Sequence, residues 1–71
     1  MAQEILAPLS GTVFKLLVAV GDEVEEEDET ILLEAMKMET PIFAPCAGTI
    51  SKIMVKEGDA VSEDDVLAVI S

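Results

Sequence analysis

The residue with the clearest capacity for chemistry is Lys37, which lies between Met36 and Met38. A lysine amine forms a covalent bond only after it loses its proton, and a free ammonium group has a pKa of about 10.4. The nearest acids, Glu34 and Glu39, would hold a positive charge rather than remove it. Activation must therefore come from another protein, which favours a modification site over a catalytic lysine.

Lys37 also lies midway between two copies of one sequence pattern. Residues 7–28 and 44–65 align at an offset of 37 positions with identity at 11 of 22 positions. The chain is therefore interpreted as one domain, residues 1–71, with an internal repeat over 7–33 and 44–70. Past residue 28 the apolar pattern predicts a one-residue shift that pairs Ile31-Leu32 with Leu67-Ala68.

Each half of the chain is predicted to form β-strands, because prolines, Gly-Asp pairs and β-branched residues disfavour helix. The predicted strands are Glu4–Ala7, Thr12–Val18, Thr30–Ala35, Glu39–Ala44, Thr49–Val55 and Val66–Ile70, with short pieces around Val24 and Val61. The long strands break strict alternation at matching places, which predicts a bulge in both. We expect an all-β fold, a flattened eight-stranded barrel or sandwich (a barrel-sandwich hybrid) of two quasi-twofold halves.

In this fold, Met36-Lys37-Met38 is predicted to be a tight turn, with Lys37 exposed at a β-hairpin tip. An ordinary solvated lysine is the alternative, but the midpoint position, the turn and the flanking methionines count against it. The two methionines could pack inward, since residues 36 and 38 share one side of a strand. They could equally be exposed for recognition by a modifying enzyme, and the sequence leaves both interpretations open.

The composition excludes several functions. The chain has 15 acidic residues, 4 lysines, no arginine and no histidine, for a net charge of −11. Nucleic acids and anionic membranes require a basic surface, and histidine is the usual general base near neutral pH. One cysteine, Cys46, allows neither an internal disulfide nor a cysteine-based metal site. With no long apolar run and no basic N-terminus, we expect a cytoplasmic, non-enzymatic protein that binds no metal and inserts in no membrane.

The segment around Lys37 resembles the biotin-attachment motif of the biotinyl/lipoyl carrier family, and specifically of its biotin carboxyl carrier domains. The motif here reads Glu34-Ala35-Met36-Lys37-Met38-Glu39. The flanking Ala-Pro-x-x-Gly-Thr and Gly-Asp-x-Val elements also match, and the resemblance covers essentially the whole chain. Lipoyl domains of the family typically carry Asp-Lys-Ala at this position, so the two methionines favour biotin.

The resemblance implies biotin in amide linkage to Lys37, with Glu34, Ala35, Met36 and Met38 as the recognition motif. A biotin protein ligase would install the group from biotinyl adenylate. The loaded domain would then shuttle carboxyl groups, as carboxybiotin, between a biotin carboxylase and a carboxyltransferase. The alternatives are a lipoyl carrier domain of a 2-oxoacid dehydrogenase and an unmodified interaction module of the same fold.

Some members of the family contain an inserted segment between the second and third strands, and this chain departs from them. Residues 18–22 run through that point without an insertion. The sequence therefore looks like the carriers of decarboxylases, of pyruvate or acyl-CoA carboxylases, or small stand-alone carriers. The other lysines, Lys15, Lys52 and Lys56, lack the methionine context, and we expect them to stay unmodified. The acidic run 25–29 lacks the glycine of a calcium loop and is interpreted as a solvated turn.

Overall fold

The computed structural model describes residues 2–71, and all of its regular structure is β-strand. The strands are β1 Gln3–Leu6, β2 Gly11–Leu16, β3 Glu23–Val24, β4 Glu29–Ala35, β5 Met38–Phe43, β6 Gly48–Ile53, β7 Ala60–Val61 and β8 Val66–Ile70. Every predicted strand is confirmed, with ends that differ by at most two residues. Within residues 2–71 there is no helix long and apolar enough to span a membrane.

The strands form two four-stranded sheets, ordered β1-β8-β6-β3 and β5-β4-β2-β7. All paired neighbours are antiparallel. In each sheet the central pair comes from one half of the chain and the two outer strands come from the other half. The halves are therefore interlocked, and the predicted two-sheet, quasi-twofold architecture is confirmed.

The turns repeat in the two halves almost hydrogen bond for hydrogen bond. The Asp22 carboxylate accepts the Ala19 N–H at 2.9 Å, and the Asp59 carboxylate accepts the Lys56 N–H at 2.9 Å. The glycine that precedes each aspartate has a positive φ, 97° at residue 21 and 94° at residue 58. Glycine reaches this backbone region without steric penalty, so each Gly-Asp pair closes a turn as predicted.

The 37-residue offset also holds beyond residue 28, so the predicted one-residue shift is wrong. The Leu17 N–H donates to the Thr30 carbonyl at 2.9 Å, and the Met54 N–H donates to the Leu67 carbonyl at 2.8 Å. Thr30 is therefore the structural equivalent of Leu67, and both are completely buried. The polar Thr30 at a core position made the apolar patterns of the two halves match best at the wrong offset.

A bulge interrupts each long strand at the predicted place. The register shifts between Val13 and Lys15 in β2, and between Ile50 and Lys52 in β6. An extra residue at a bulge bends the strand and increases its twist. The two bulges therefore curve the sheets around the core.

The core consists of aliphatic side chains from the facing sides of the two sheets. The buried apolar residues are Ile5, Ala7, Val13, Val24, Ile31, Leu33, Ile42, Ala44, Ile50, Val61, Leu67, Ala68 and Ile70. Cys46 is partly buried against this cluster, where it serves as a small apolar filler. Neither phenylalanine belongs to the buried core.

Thr30 is the one buried polar residue among those described, and its hydroxyl donates to the Ile42 carbonyl at 2.8 Å. A Thr30→Val variant keeps the shape of the side chain but removes this donor. We expect the free energy of unfolding to fall by about 1–2 kcal/mol. Urea denaturation checks this, with Thr12→Val as control, because Thr12 is exposed and its replacement should change stability by less than about 0.5 kcal/mol. Equal effects in the two variants would contradict the role of the buried hydroxyl.

Candidate functional site

Lys37 lies at the tip of the β4–β5 hairpin, in a two-residue turn. Ala35 pairs with Met38 across the two strands, which leaves only Met36 and Lys37 to connect them. The turn is therefore shorter than predicted, because Met38 is already the first residue of β5. The outer ends of β1 and β8, where Gln3 pairs with Ile70, occupy the equivalent place in the other half.

Both residues of the turn have positive φ angles, 53° at Met36 and 64° at Lys37. Two successive positive φ angles are typical of the type I′ turn, which matches the twist of a hairpin but is normally built from Asn or Gly. A side chain with a Cβ atom costs roughly 1–2 kcal/mol in this region. The tip is therefore a strained turn whose residues were not selected for turn stability.

The base of the hairpin rests on a close backbone contact with β2. A Cβ atom added to Gly11 would lie 2.7 Å from the Glu34 carbonyl oxygen and 3.3 Å from the Ala35 Cβ. Only glycine allows β2 to pass the hairpin at this distance. Leu33 precedes Glu34 in β4, one position further from the tip, and is completely buried. The tip thus projects from a hairpin that is fixed to the sandwich immediately below it.

Both methionines beside Lys37 are exposed, so the structure supports the exposed one of the two interpretations that the sequence left open and not inward packing. Met36 is 90% exposed and Met38 is 69% exposed, and Lys37 is exposed as well. Met38 has the strand parity of Thr40 and Ile42, which face the core, but it lies beyond the end of that core. Packing therefore gives no reason for two large apolar side chains at this tip. A recognition role remains the prediction for them.

Among the residues that the structure describes, the acids nearest Lys37 in the hairpin are exposed. Glu34 and Glu39 pair across the hairpin just below the tip, and both are exposed. An open depression of about 540 Å³ lies elsewhere, lined by Glu23, Val24, Glu25, Asp28, Ala47, Gly48 and Thr49. Within residues 2–71 there is no group of three or more His, Cys, Asp or Glu residues placed to hold a metal ion. The arrangement presents an exposed amine at the tip of the hairpin.

Exposure alone does not distinguish Lys37 from the other lysines, since Lys15, Lys52 and Lys56 are exposed too. Two of these, Lys15 and Lys52, lie within strands β2 and β6. Lys37 alone combines a hairpin tip with two exposed apolar neighbours. An enzyme that modifies one lysine of this chain has a distinct shape to recognise only there.

The strain of the turn leads to a prediction about Met36. Asparagine tolerates the positive φ better than methionine, so a Met36→Asn variant should be more stable by about 0.5–1 kcal/mol. The same change removes an exposed apolar group beside Lys37 and should slow its modification. Urea denaturation and the initial rate of lysine modification measure the two effects. A variant with lower stability than the wild type would contradict the assigned turn geometry.

Comparison with known proteins identifies a matching family model and several similar proteins. A family model named Biotin_lipoyl and described as "Biotin-requiring enzyme" matches residues 3–70. The chain is 60% identical over 37 residues to the methylmalonyl-CoA carboxyltransferase 1.3S subunit of Propionibacterium freudenreichii subsp. shermanii, which covers 52% of this chain and 30% of that protein. It is 51% identical over 41 residues to the biotin carboxyl carrier protein of Streptococcus mutans, which covers 58% of this chain and 32% of that protein. The chain thus spans about a third of the length of these relatives.

A solved structure extends the similarity to the whole chain. The crystal structure of the Kluyveromyces lactis urea carboxylase superposes on it with a TM-score of 0.95 at 39% identity. The match covers 100% of this chain and 6% of that much larger protein. A region of this size and fold is therefore a small part of that carboxylase.

Proposed function

Because this chain belongs to the Biotin_lipoyl family, whose model matches residues 3–70, we propose that it is a biotin carboxyl carrier domain modified on Lys37. The relatives named above are a biotin carboxyl carrier protein, a carboxyltransferase subunit and a urea carboxylase. The name of the Streptococcus mutans relative supports biotin rather than lipoate as the attached group. The proposal places this chain as the carrier of a biotin-dependent carboxylase or a related decarboxylase.

The observation that carries the proposal is the position of Lys37 at the apex of a two-residue turn. An amine held there extends beyond the sandwich and is reachable from several sides. In the loading reaction the unprotonated amine attacks the acyl carbon of biotinyl adenylate. An amide bond forms, AMP leaves, and the amine nitrogen loses a proton. A biotin protein ligase supplies the adenylate and the base, which this chain lacks.

Biotin held on Lys37 would supply a position that takes up and releases a carboxyl group, and the residues of this chain hold the attachment point in place. The close approach of β2 at Gly11 and the buried Leu33 fix the base of the hairpin. We therefore expect most of the motion to lie in the lysine-biotin arm beyond the tip. A fixed attachment point keeps the effective concentration of the arm high at each active site, whereas a loose one would lower it.

The proposed partners are the ligase, a biotin carboxylase and a carboxyltransferase, all acting in the cytoplasm. The chain contributes no catalytic group to either half-reaction, because histidine is absent and the acids nearest Lys37 are exposed. Its net charge of −11 suits approach to active sites with basic entrances. Glu34, Ala35, Met36 and Met38 form the motif that the ligase recognises.

The carrier role is tested by carboxylation of the loaded domain. Biotinylated protein is incubated with a bacterial biotin carboxylase, ATP and labelled bicarbonate, and the label on the protein is measured. We expect label that is acid-labile and absent from the unbiotinylated protein. Domain that is loaded by a lipoate ligase but not by a biotin protein ligase would show instead that the chain is a lipoyl carrier.

A further inference from the structure

The only two aromatic residues of the chain, Phe14 and Phe43, lie on the outer surface of one sheet. Phe14 is 47% exposed and Phe43 is 51% exposed. Ile42 is buried, so its neighbours in β5, Pro41 and Phe43, face outward. Phe14 is the residue within the β2 bulge, beside the buried Val13, and it faces outward as well.

Leu32 completes this surface. It lies between two completely buried residues of β4 and therefore faces outward, and it pairs with Pro41 on one side and Lys15 on the other. We name this surface the aromatic face. It consists of Phe14, Leu32, Pro41 and Phe43.

The fold does not require an aromatic face, and the pseudosymmetry of the chain demonstrates this. The same backbone positions on the other sheet, 37 residues away, are occupied by Ser51, Val69, Glu4 and Leu6. These residues support the same bulge and the same strand pairing without an aromatic side chain, and two of the four, Ser51 and Glu4, are polar. Folding therefore leaves the aromatic residues of the first sheet unexplained, which points to a surface that contacts another molecule.

The aromatic face is continuous with the site of modification. Pro41 and Lys37 belong to the same hairpin and are four residues apart, a distance of roughly 13 Å along a strand. A standard protein interface covers about 800 Å² on each partner and extends well beyond that distance. Before loading, the amine is carried only by the short lysine side chain, so the loading enzyme must bring its active site close to the tip. An interface of that size at the tip is large enough to include the adjacent outer surface of the sheet.

The charges at the margin of the aromatic face indicate which charges a complementary partner surface carries. Glu29 pairs with Phe43 at one end of the face, and the exposed pair Glu34 and Glu39 lies between the face and the tip. Lys15 is the one basic residue paired within it. A complementary surface has an apolar centre bordered by lysine and arginine side chains.

We propose that the aromatic face is the docking surface for the biotin protein ligase that loads Lys37, and that it contacts an apolar, basic-bordered patch of that enzyme. This inference rests on the proposed function. Aromatic side chains near the centre of an interface commonly dominate its affinity. The methionines at the tip then position the amine, and the aromatic face supplies a second, sequence-distant part of the recognition surface.

The test compares ligase kinetics for three forms of the domain. Phe14→Ser places on the first sheet the residue that the second sheet already carries at the same position, Ser51. Leu6→Ser is the matched control, because Leu6 is 42% exposed and is the equivalent of Phe43 on the other sheet. Biotin incorporation is measured against domain concentration with a purified biotin protein ligase, and thermal melting of each form verifies folding. Phe43→Ser serves as a second variant if Phe14→Ser unfolds.

We expect KM to rise about tenfold for Phe14→Ser with kcat unchanged, and to change less than twofold for Leu6→Ser. Equal kinetics for the wild type and a folded Phe14→Ser variant would overturn the docking surface while leaving the carrier role intact. An equal loss in Leu6→Ser would also overturn it, because the effect would then follow surface apolarity on either sheet. Failure of the wild type to accept biotin would instead overturn the proposed function.

Discussion

A Lys37→Arg variant should incorporate no biotin under conditions in which the wild type is fully loaded. Arginine keeps the positive charge and much of the length of the side chain, but its guanidinium group stays protonated and cannot form the amide. The side chain is exposed at the tip of the turn, so the folded structure has no reason to change. The measurement is streptavidin detection after incubation with biotin, ATP and ligase, together with thermal melting of both proteins.

The three other exposed lysines provide the controls for this experiment. Lys15→Arg, Lys52→Arg and Lys56→Arg variants should be loaded to the same extent as the wild type, since none of these residues lies at a hairpin tip. A streptavidin signal that survives in Lys37→Arg and disappears in one of the controls would move the attachment site to that lysine. A signal that survives in all four variants would show that none of the four lysines is the sole attachment site.

The second large effect is on stability. Leu33 is completely buried in β4, directly below the hairpin tip, and replacing it by alanine leaves a cavity in a small core. Changes of this kind cost about 2–5 kcal/mol. Small domains have little stability to spare, so we expect the Leu33→Ala variant to be partly unfolded at room temperature or to melt far below the wild type.

The matched control for Leu33→Ala makes the same chemical change at Leu17, which is 39% exposed and follows the end of β2. We expect Leu17→Ala to cost less than about 1 kcal/mol, because most of the removed surface is not buried against the core. Urea denaturation of both variants gives the two free energies. If Leu33→Ala were as stable as Leu17→Ala, the assigned core below the hairpin would be wrong.

Much of this structure was predictable because the duplication supplies each signal twice. The Gly-Asp turns, the bulges in β2 and β6, and the strands on either side of Lys37 follow from residue types that recur at a fixed offset. Two matching irregularities are far less ambiguous than one. The position of Lys37 at a hairpin tip followed directly from the point where the two copies join.

The features that were missed depend on which residues the fold brings close together in space. Gly11 approaches the base of the hairpin through strand packing, and the type I′ geometry of Met36 and Lys37 follows from the pairing of the residues beside them. Strand parity places Met38 on the same side of β5 as the buried Ile42, but parity does not tell where the core ends. Thr30 illustrates the converse, because a polar residue at a buried position concealed the true offset of the repeat.

The outward direction of Phe14 and Phe43 was also beyond the sequence, since aromatic residues in a strand are usually taken to be core. Only the bulge in β2, together with the burial of Val13 and Ile42, places both rings on the outer surface. Comparison of equivalent positions in the two pseudosymmetric sheets then shows which side chains the fold requires and which it does not. Ser51 at the position equivalent to Phe14 is the clearest instance.

The most direct measurement is the intact mass of the purified domain before and after incubation with biotin, ATP and a biotin protein ligase, followed by peptide mapping. We expect a single biotinyl increment, located on Lys37. An unchanged mass for the folded protein, or an increment located on any other residue, would contradict the assignment of Lys37 as the attachment site of a biotin carrier.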